Sequence, residues 1–74
     1  MLLSEGQMGK SYIVEELALP LRLEKRLESL GMTRGTEISV LGCKGRGIVI
    51  AKLRGTRFAL GRNITKNITV RCSE

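Results

Sequence analysis

The stretch Leu30-Gly31-Met32-Thr33-Arg34-Gly35-Thr36-Glu37-Ile38 constrains this chain most, because it ends a helix, turns on two glycines and starts a strand within a few residues. From Pro20 to Leu30 the apolar residues Leu23, Leu27 and Leu30 recur at i, i+4 and i+7. Arg22, Glu24, Lys25, Arg26 and Glu28 face elsewhere, which predicts a helix with one apolar stripe. Proline suits the first helical position and glycine the left-handed position just past the end, so Pro20 and Gly31 bracket the helix. Met32 and Leu27 then occupy the two positions whose apolar contact accompanies this kind of ending.

The remaining segments read as strands. Tyr12 to Leu17 follows the turn signal Gly9-Lys10-Ser11 and forms the first strand. Thr36 to Leu41 alternates, with Ile38 and Val40 on one side and Glu37 and Ser39 on the other. Gly42 to Gly47 breaks that strand as a loop. Ile48 to Arg54 and Arg57 to Arg62 flank Gly55-Thr56, which predicts a type II′ hairpin. That loop would set Arg54 opposite Arg57, Leu53 opposite Phe58, Lys52 opposite Ala59 and Ala51 opposite Leu60. Asn63 to Asn67 has room for a single turn, and Ile68 to Cys72 closes the chain as a strand with Ile68, Val70 and Cys72 on one side. The expected fold is therefore all-β with one short helix, a small SH3-like barrel of about five strands in which the helix follows the first strand. Residues 1–74 read as one domain, with no repeat and no linker.

Size and residue types exclude most chemistry. A chain of 74 residues lies near the lower limit at which burial offsets chain entropy and leaves little room for a large enzyme pocket. There is no histidine and no aspartate, so Ser, Thr and Cys lack an ordinary base, and the glutamates look like exposed-face residues. The chain is not expected to be an enzyme or to take a small-molecule substrate. Gly9-Lys10-Ser11 matches the end of a Walker A loop, but Ser4 stands where that motif needs glycine, and a strand follows where it needs a helix. The Gly42 to Gly47 segment, with Lys44 and Arg46, resembles an anion-binding glycine loop, yet a hairpin connection accounts for it more simply. Cys43 and Cys72 are the candidate metal ligands, too few for a four-ligand site within one chain. They read as free, buried or half-buried thiols, with a metal-bridged dimer or a disulfide as the alternatives. No resident cofactor is expected, and weak divalent-metal binding is the one such reading left open.

Thirteen Lys and Arg against seven Glu give a formal charge of +6, which favours an anionic partner. A nucleic-acid reading would use Lys44, Arg46, Lys52, Arg54, Arg57 and Arg62 on the backbone of the nucleic acid. Stacking, however, needs aromatic rings, and with Phe58 assigned to the core only Tyr12 is left. No apolar run is long enough to span a bilayer and no secretory signal is visible, so a cytoplasmic location without membrane insertion is expected.

Three motifs carry a resemblance: Lys25-Arg26-Leu27-Glu28-Ser29-Leu30-Gly31-Met32 with Arg34-Gly35-Thr36, the hairpin Arg54-Gly55-Thr56-Arg57-Phe58-Ala59-Leu60-Gly61, and the terminal Ile68-Thr69-Val70. In this order and spacing the chain resembles the FeoA family of ferrous iron transport. The resemblance implies an SH3-like barrel working in the cytoplasm beside FeoB, the membrane iron transporter with a cytoplasmic GTPase domain. It implies an accessory or regulatory partner, not the permease. Many members carry proline where Arg34 stands, and a P-x-G-D-P loop where this chain has its basic Gly42 to Gly47 segment. The candidate contacts with a transporter are Leu19 and Leu21, expected off the buried stripe, and the basic hairpin residues Lys52, Arg54 and Arg57. The competing expectation is a basic nucleic-acid-binding module. A monomer or weak homo-oligomer is expected.

Overall fold

A computed structural model describes residues 1–73. Five strands, β1 (Ser11–Leu17), β2 (Glu37–Lys44), β3 (Ile48–Leu53), β4 (Thr56–Leu60) and β5 (Ile68–Cys72), form one sheet in the order β4-β3-β2-β1-β5. Every pairing is antiparallel. Helix α1 (Leu21–Ser29) lies between β1 and β2, and the single turn α2 (Arg62–Thr65) precedes β5. Strand alternation places Tyr12, Val14, Ile38, Val40, Val49, Ala51, Leu53, Leu60, Ile68 and Val70 inside, where Leu3, Leu27 and Met32 join them. Irregularities in the ladder between Val14 and Glu16 and between Val40 and Gly42 bend β1 and β2, which curls the short sheet around this core.

The corner after α1 closes as its residues dictate. Gly31 has φ +99° and donates to Glu28 O at 2.9 Å, while Met32 N–H donates to Leu27 O at 2.9 Å. These are the two hydrogen bonds of a Schellman ending, and both Leu27 and Met32 are buried. Thr33 to Thr36 then makes a hydrogen-bonded turn with Gly35 at φ +85°, the sign a type II turn requires at its third residue. Gly35 N–H donates to Val14 O at 2.7 Å and Val14 N–H to Thr36 O at 2.9 Å, which ties the corner to β1. Pro20 sits one position earlier than its residue type suggests: it caps α1, and its carbonyl accepts from Glu24 N–H.

The hairpin differs from expectation in its loop. Leu53 pairs with Thr56, Lys52 with Arg57, Ala51 with Phe58, Ile50 with Ala59 and Val49 with Leu60. The loop residues are thus Arg54 and Gly55, at φ +51° and +82°, the signature of a type I′ turn and not of a type II′ turn at Gly55-Thr56. Both registers leave the same residues on the same face, so the alternation of the strands does not distinguish them.

Strand β2 also runs further than its first alternation predicts. Past the irregularity at Leu41, Gly42, Cys43 and Lys44 pair with Ile50, Val49 and Ile48, so the connection shrinks to Gly45-Arg46-Gly47. Gly47 has φ +80°, and a Cβ there would stand 2.8 Å from Arg62 Cγ. Beside it the wholly buried Thr65 donates its hydroxyl to Gly47 O at 2.7 Å, which fastens α2 to the start of β3. At the outer side of β5, Met1 and Leu2 pair with Val70 and Thr69 and cover part of that sheet edge.

Candidate functional site

The two outer strands of the sheet differ in one respect. Met1 and Leu2 partly cover β5, whereas among the described residues β4 pairs only with β3. In a two-residue hairpin the pair flanking the loop exchanges hydrogen bonds and the next pair does not. Leu53/Thr56 and Ala51/Phe58 are therefore bonded pairs, and the N–H and C=O groups of Arg57 and Ala59 point away from the sheet. Among the described residues these groups have no hydrogen-bond partner.

Helix α1 stands beside that free edge without closing on it. Leu23, Leu27 and Leu30 form one wall of an open groove of about 210 Å³, with Phe58, Leu60 and Ile64 as its floor. Ala59 and Arg26 complete the lining, and no carboxylate belongs to it. The helical stripe read from the sequence is thus only partly covered. Leu27 is buried and Leu23 half-buried, but Leu30 is 50% exposed because the helix ends there and β4 does not reach over it. A second, polar groove of about 360 Å³ lies on the other flank of α1, between Glu24, Glu28, Leu17, Thr33 and Arg34.

The five residues expected to meet a partner fall in three places. Lys52 and Arg57 face each other across the hairpin and are both exposed. Arg54, at the loop, lays its side chain over Gly31 at the end of α1. These three gather at one end of the molecule. Leu21 is 66% exposed but begins α1, roughly 14 Å along the helix axis from the Gly31 end. Leu19 is not on the surface as expected: it is half-buried and packs against the core, held by the returning chain, where Ala18 N–H donates to Asn67 O at 2.8 Å. The groove itself was not anticipated. Its sequence signal is the Leu23, Leu27, Leu30 stripe followed by a corner too sharp to cover its last member.

Other expectations change as well. Cys43 and Cys72 are both free and exposed, not buried or half-buried. Cys72 continues the inward alternation of β5 but lies beyond the core, and Cys43 Sγ donates to Gly6 O at 3.7 Å. Among the described residues no three His, Cys, Asp or Glu side chains converge. Tyr12 is wholly buried and its hydroxyl accepts from Gln7 N–H at 2.8 Å, so it offers no stacking surface. The Gly42 to Gly47 segment, expected to be a hairpin connection, is one only in its second half, since Gly42 to Lys44 belong to β2. Among the described residues no helix is long and apolar enough to cross a membrane.

Five antiparallel strands curled on one core, with a helix between the first and second, define a small SH3-like β-domain. Its family follows from comparison with known proteins: the FeoA domain matches residues 1–72, and the chain belongs to that family. The solution structure of the FeoA protein from Chlorobium tepidum is similar, with a TM-score of 0.90 at 29% identity, covering 100% of this chain and 71% of that one. The crystal structure of an iron uptake regulatory protein (FeoA) is 32% identical, with a TM-score of 0.82 and coverage of 96% and 93%. Stenotrophomonas maltophilia FeoA, complexed with zinc and described as a procaryotic SH3 domain protein, is 29% identical, with a TM-score of 0.78 and coverage of 95% and 88%. The search of curated proteins gives no significant match.

Proposed function

We propose that this domain is a cytoplasmic accessory protein of ferrous iron transport that binds the GTPase part of an FeoB-like membrane transporter and regulates it. Family membership across residues 1–72 is the observation that carries this reading. FeoA is an accessory, transport-related family and not an enzyme family, and the S. maltophilia relative is put forward as a possible ferrous iron transport activating factor. The surface suits such a role. A small module can bias a larger machine by binding one of its states more tightly than another.

Lys52, Arg54 and Arg57, one exposed end of the β3–β4 hairpin, are the contacts assigned to the transporter, with Leu21 at the start of α1 as an outlying one. Leu19 contributes by holding the α1 entry in place. The domain acts as a monomer or weak homo-oligomer and needs no resident cofactor. The zinc in the S. maltophilia crystal belongs to that protein. Weak divalent-metal binding here would have to recruit Cys43 or Cys72 from more than one copy, since each is a lone exposed thiol.

Calorimetric titration of the transporter's soluble cytoplasmic domain tests the reading. Saturable binding weakened by Arg57→Glu and Leu21→Glu is expected. Absence of binding by the unaltered protein would overturn the partner assignment, and undiminished binding by both variants would overturn the contact residues.

A further inference from the structure

We propose that the groove between α1 and β4 takes an extended, acidic segment of a partner protein, which adds to the sheet as a sixth strand beside β4. This deepens the binding role assigned above and rests on it.

Three observations converge on the same edge. The N–H and C=O groups of Arg57 and Ala59 point outward unpaired, at the two-residue spacing that an added strand meets. Ala59 lines the groove, so a chain bonded to this edge lies against it. Side chains of a strand alternate between faces, and here the two faces ask for different chemistry. One row would enter the groove beside Leu30 and Phe58, where the lining is apolar. The other row would stand on the outer face beside Arg57.

That outer row selects charge. Lys52 and Arg57 are directly opposite each other, an arrangement of like charges that weakens a hairpin. A carboxylate on an added strand would sit next to Arg57 and reverse that penalty. Arg26 at the groove and Arg54 at the loop extend the positive rim, and neither makes an ion pair among the described residues, where Arg71 and Glu15 form the pair observed. The segment recognised is therefore one in which aliphatic and acidic residues alternate.

The test uses fluorescence anisotropy with a labelled heptapeptide, Asp-Val-Glu-Leu-Asp-Val-Glu, and the whole domain. Saturable binding is expected. Replacement of the acidic residues by lysine, and N-methylation of alternate backbone amides on the side that faces β4, should each weaken it at least tenfold. Ala59→Pro removes the outward donor without removing a β3–β4 hydrogen bond, so it should abolish peptide binding while the melting transition persists. If that variant unfolds, the N-methylated peptide still decides the question. Failure of the acidic peptide to saturate, or equal binding by its N-methylated form, would overturn the proposal. Titration of the transporter's soluble domain in parallel separates the two readings. Transporter binding that survives Ala59→Pro leaves the accessory role standing and overturns strand addition as its mode, whereas peptide binding without transporter binding does the reverse.

Discussion

The Arg54 side chain lies across Gly31: a Cβ placed on Gly31 would stand 3.3 Å from Arg54 Cδ and 3.5 Å from Cζ. The loop of the β3–β4 hairpin thus rests on the end of α1, where the unpaired carbonyls of a helix favour a cation. This contact joins the two sequence motifs, the helix-to-strand corner and the basic hairpin, into one surface.

Gly31→Ala should destabilise the domain by about 1–2 kcal/mol, because alanine is strained at a positive φ and its Cβ meets Arg54. Chemical denaturation measures this. Adding Arg54→Ala should recover only the smaller part, since the backbone strain stays. Full recovery would place the whole cost in the side-chain contact.

Arg54 holds φ +51°, a conformation that asparagine tolerates better than arginine. Arg54→Asn should therefore raise stability by about 0.5 kcal/mol after the lost interaction with the helix end is subtracted, and weaken partner binding. A lowered denaturation midpoint would mean that packing of the guanidinium outweighs backbone strain.

Arg34 is the second residue of the Thr33–Thr36 turn, and no hydrogen bond of its N–H is present among the described residues. Proline pre-sets the backbone at that position. Arg34→Pro should stabilise the domain by about 0.4–1 kcal/mol, seen as a rise of a few degrees in Tm.

Thr65→Val removes the 2.7 Å hydrogen bond to Gly47 O from a wholly buried site at constant volume. A loss of about 1–3 kcal/mol is expected, read from the same denaturation curves. Hydrogen exchange should quicken at the start of β3 and in α2.

The sequence made the corner legible because every residue there has one job: Gly31 and Gly35 accept positive φ, and Leu27 and Met32 enclose the turn. The hairpin loop was less legible. Gly55 suits either loop, and choosing the type I′ form requires Arg54 to adopt a left-handed conformation, which its residue type argues against and its seat on Gly31 supports. The end of β2 is not legible in the sequence because the irregularity at Leu41 reverses the alternation that marks a strand. Of the candidate site, Lys52, Arg54 and Arg57 were visible as charges that alternation puts outside. The half-burial of Leu19 is not legible, since it lies outside any regular element and its packing depends on the Asn67 turn. The groove was hidden for a different reason: periodicity shows which face of a helix is apolar, but not whether a neighbour covers it.

The most direct test of the account maps amide chemical shifts of the isotope-labelled domain during titration with the transporter's soluble cytoplasmic domain. Binding should move resonances of Arg54 to Ala59 and of Leu30 and Gly31, leaving β5 still. Unchanged spectra at saturating transporter domain would contradict the central claim that this protein is a docking partner of an iron transporter.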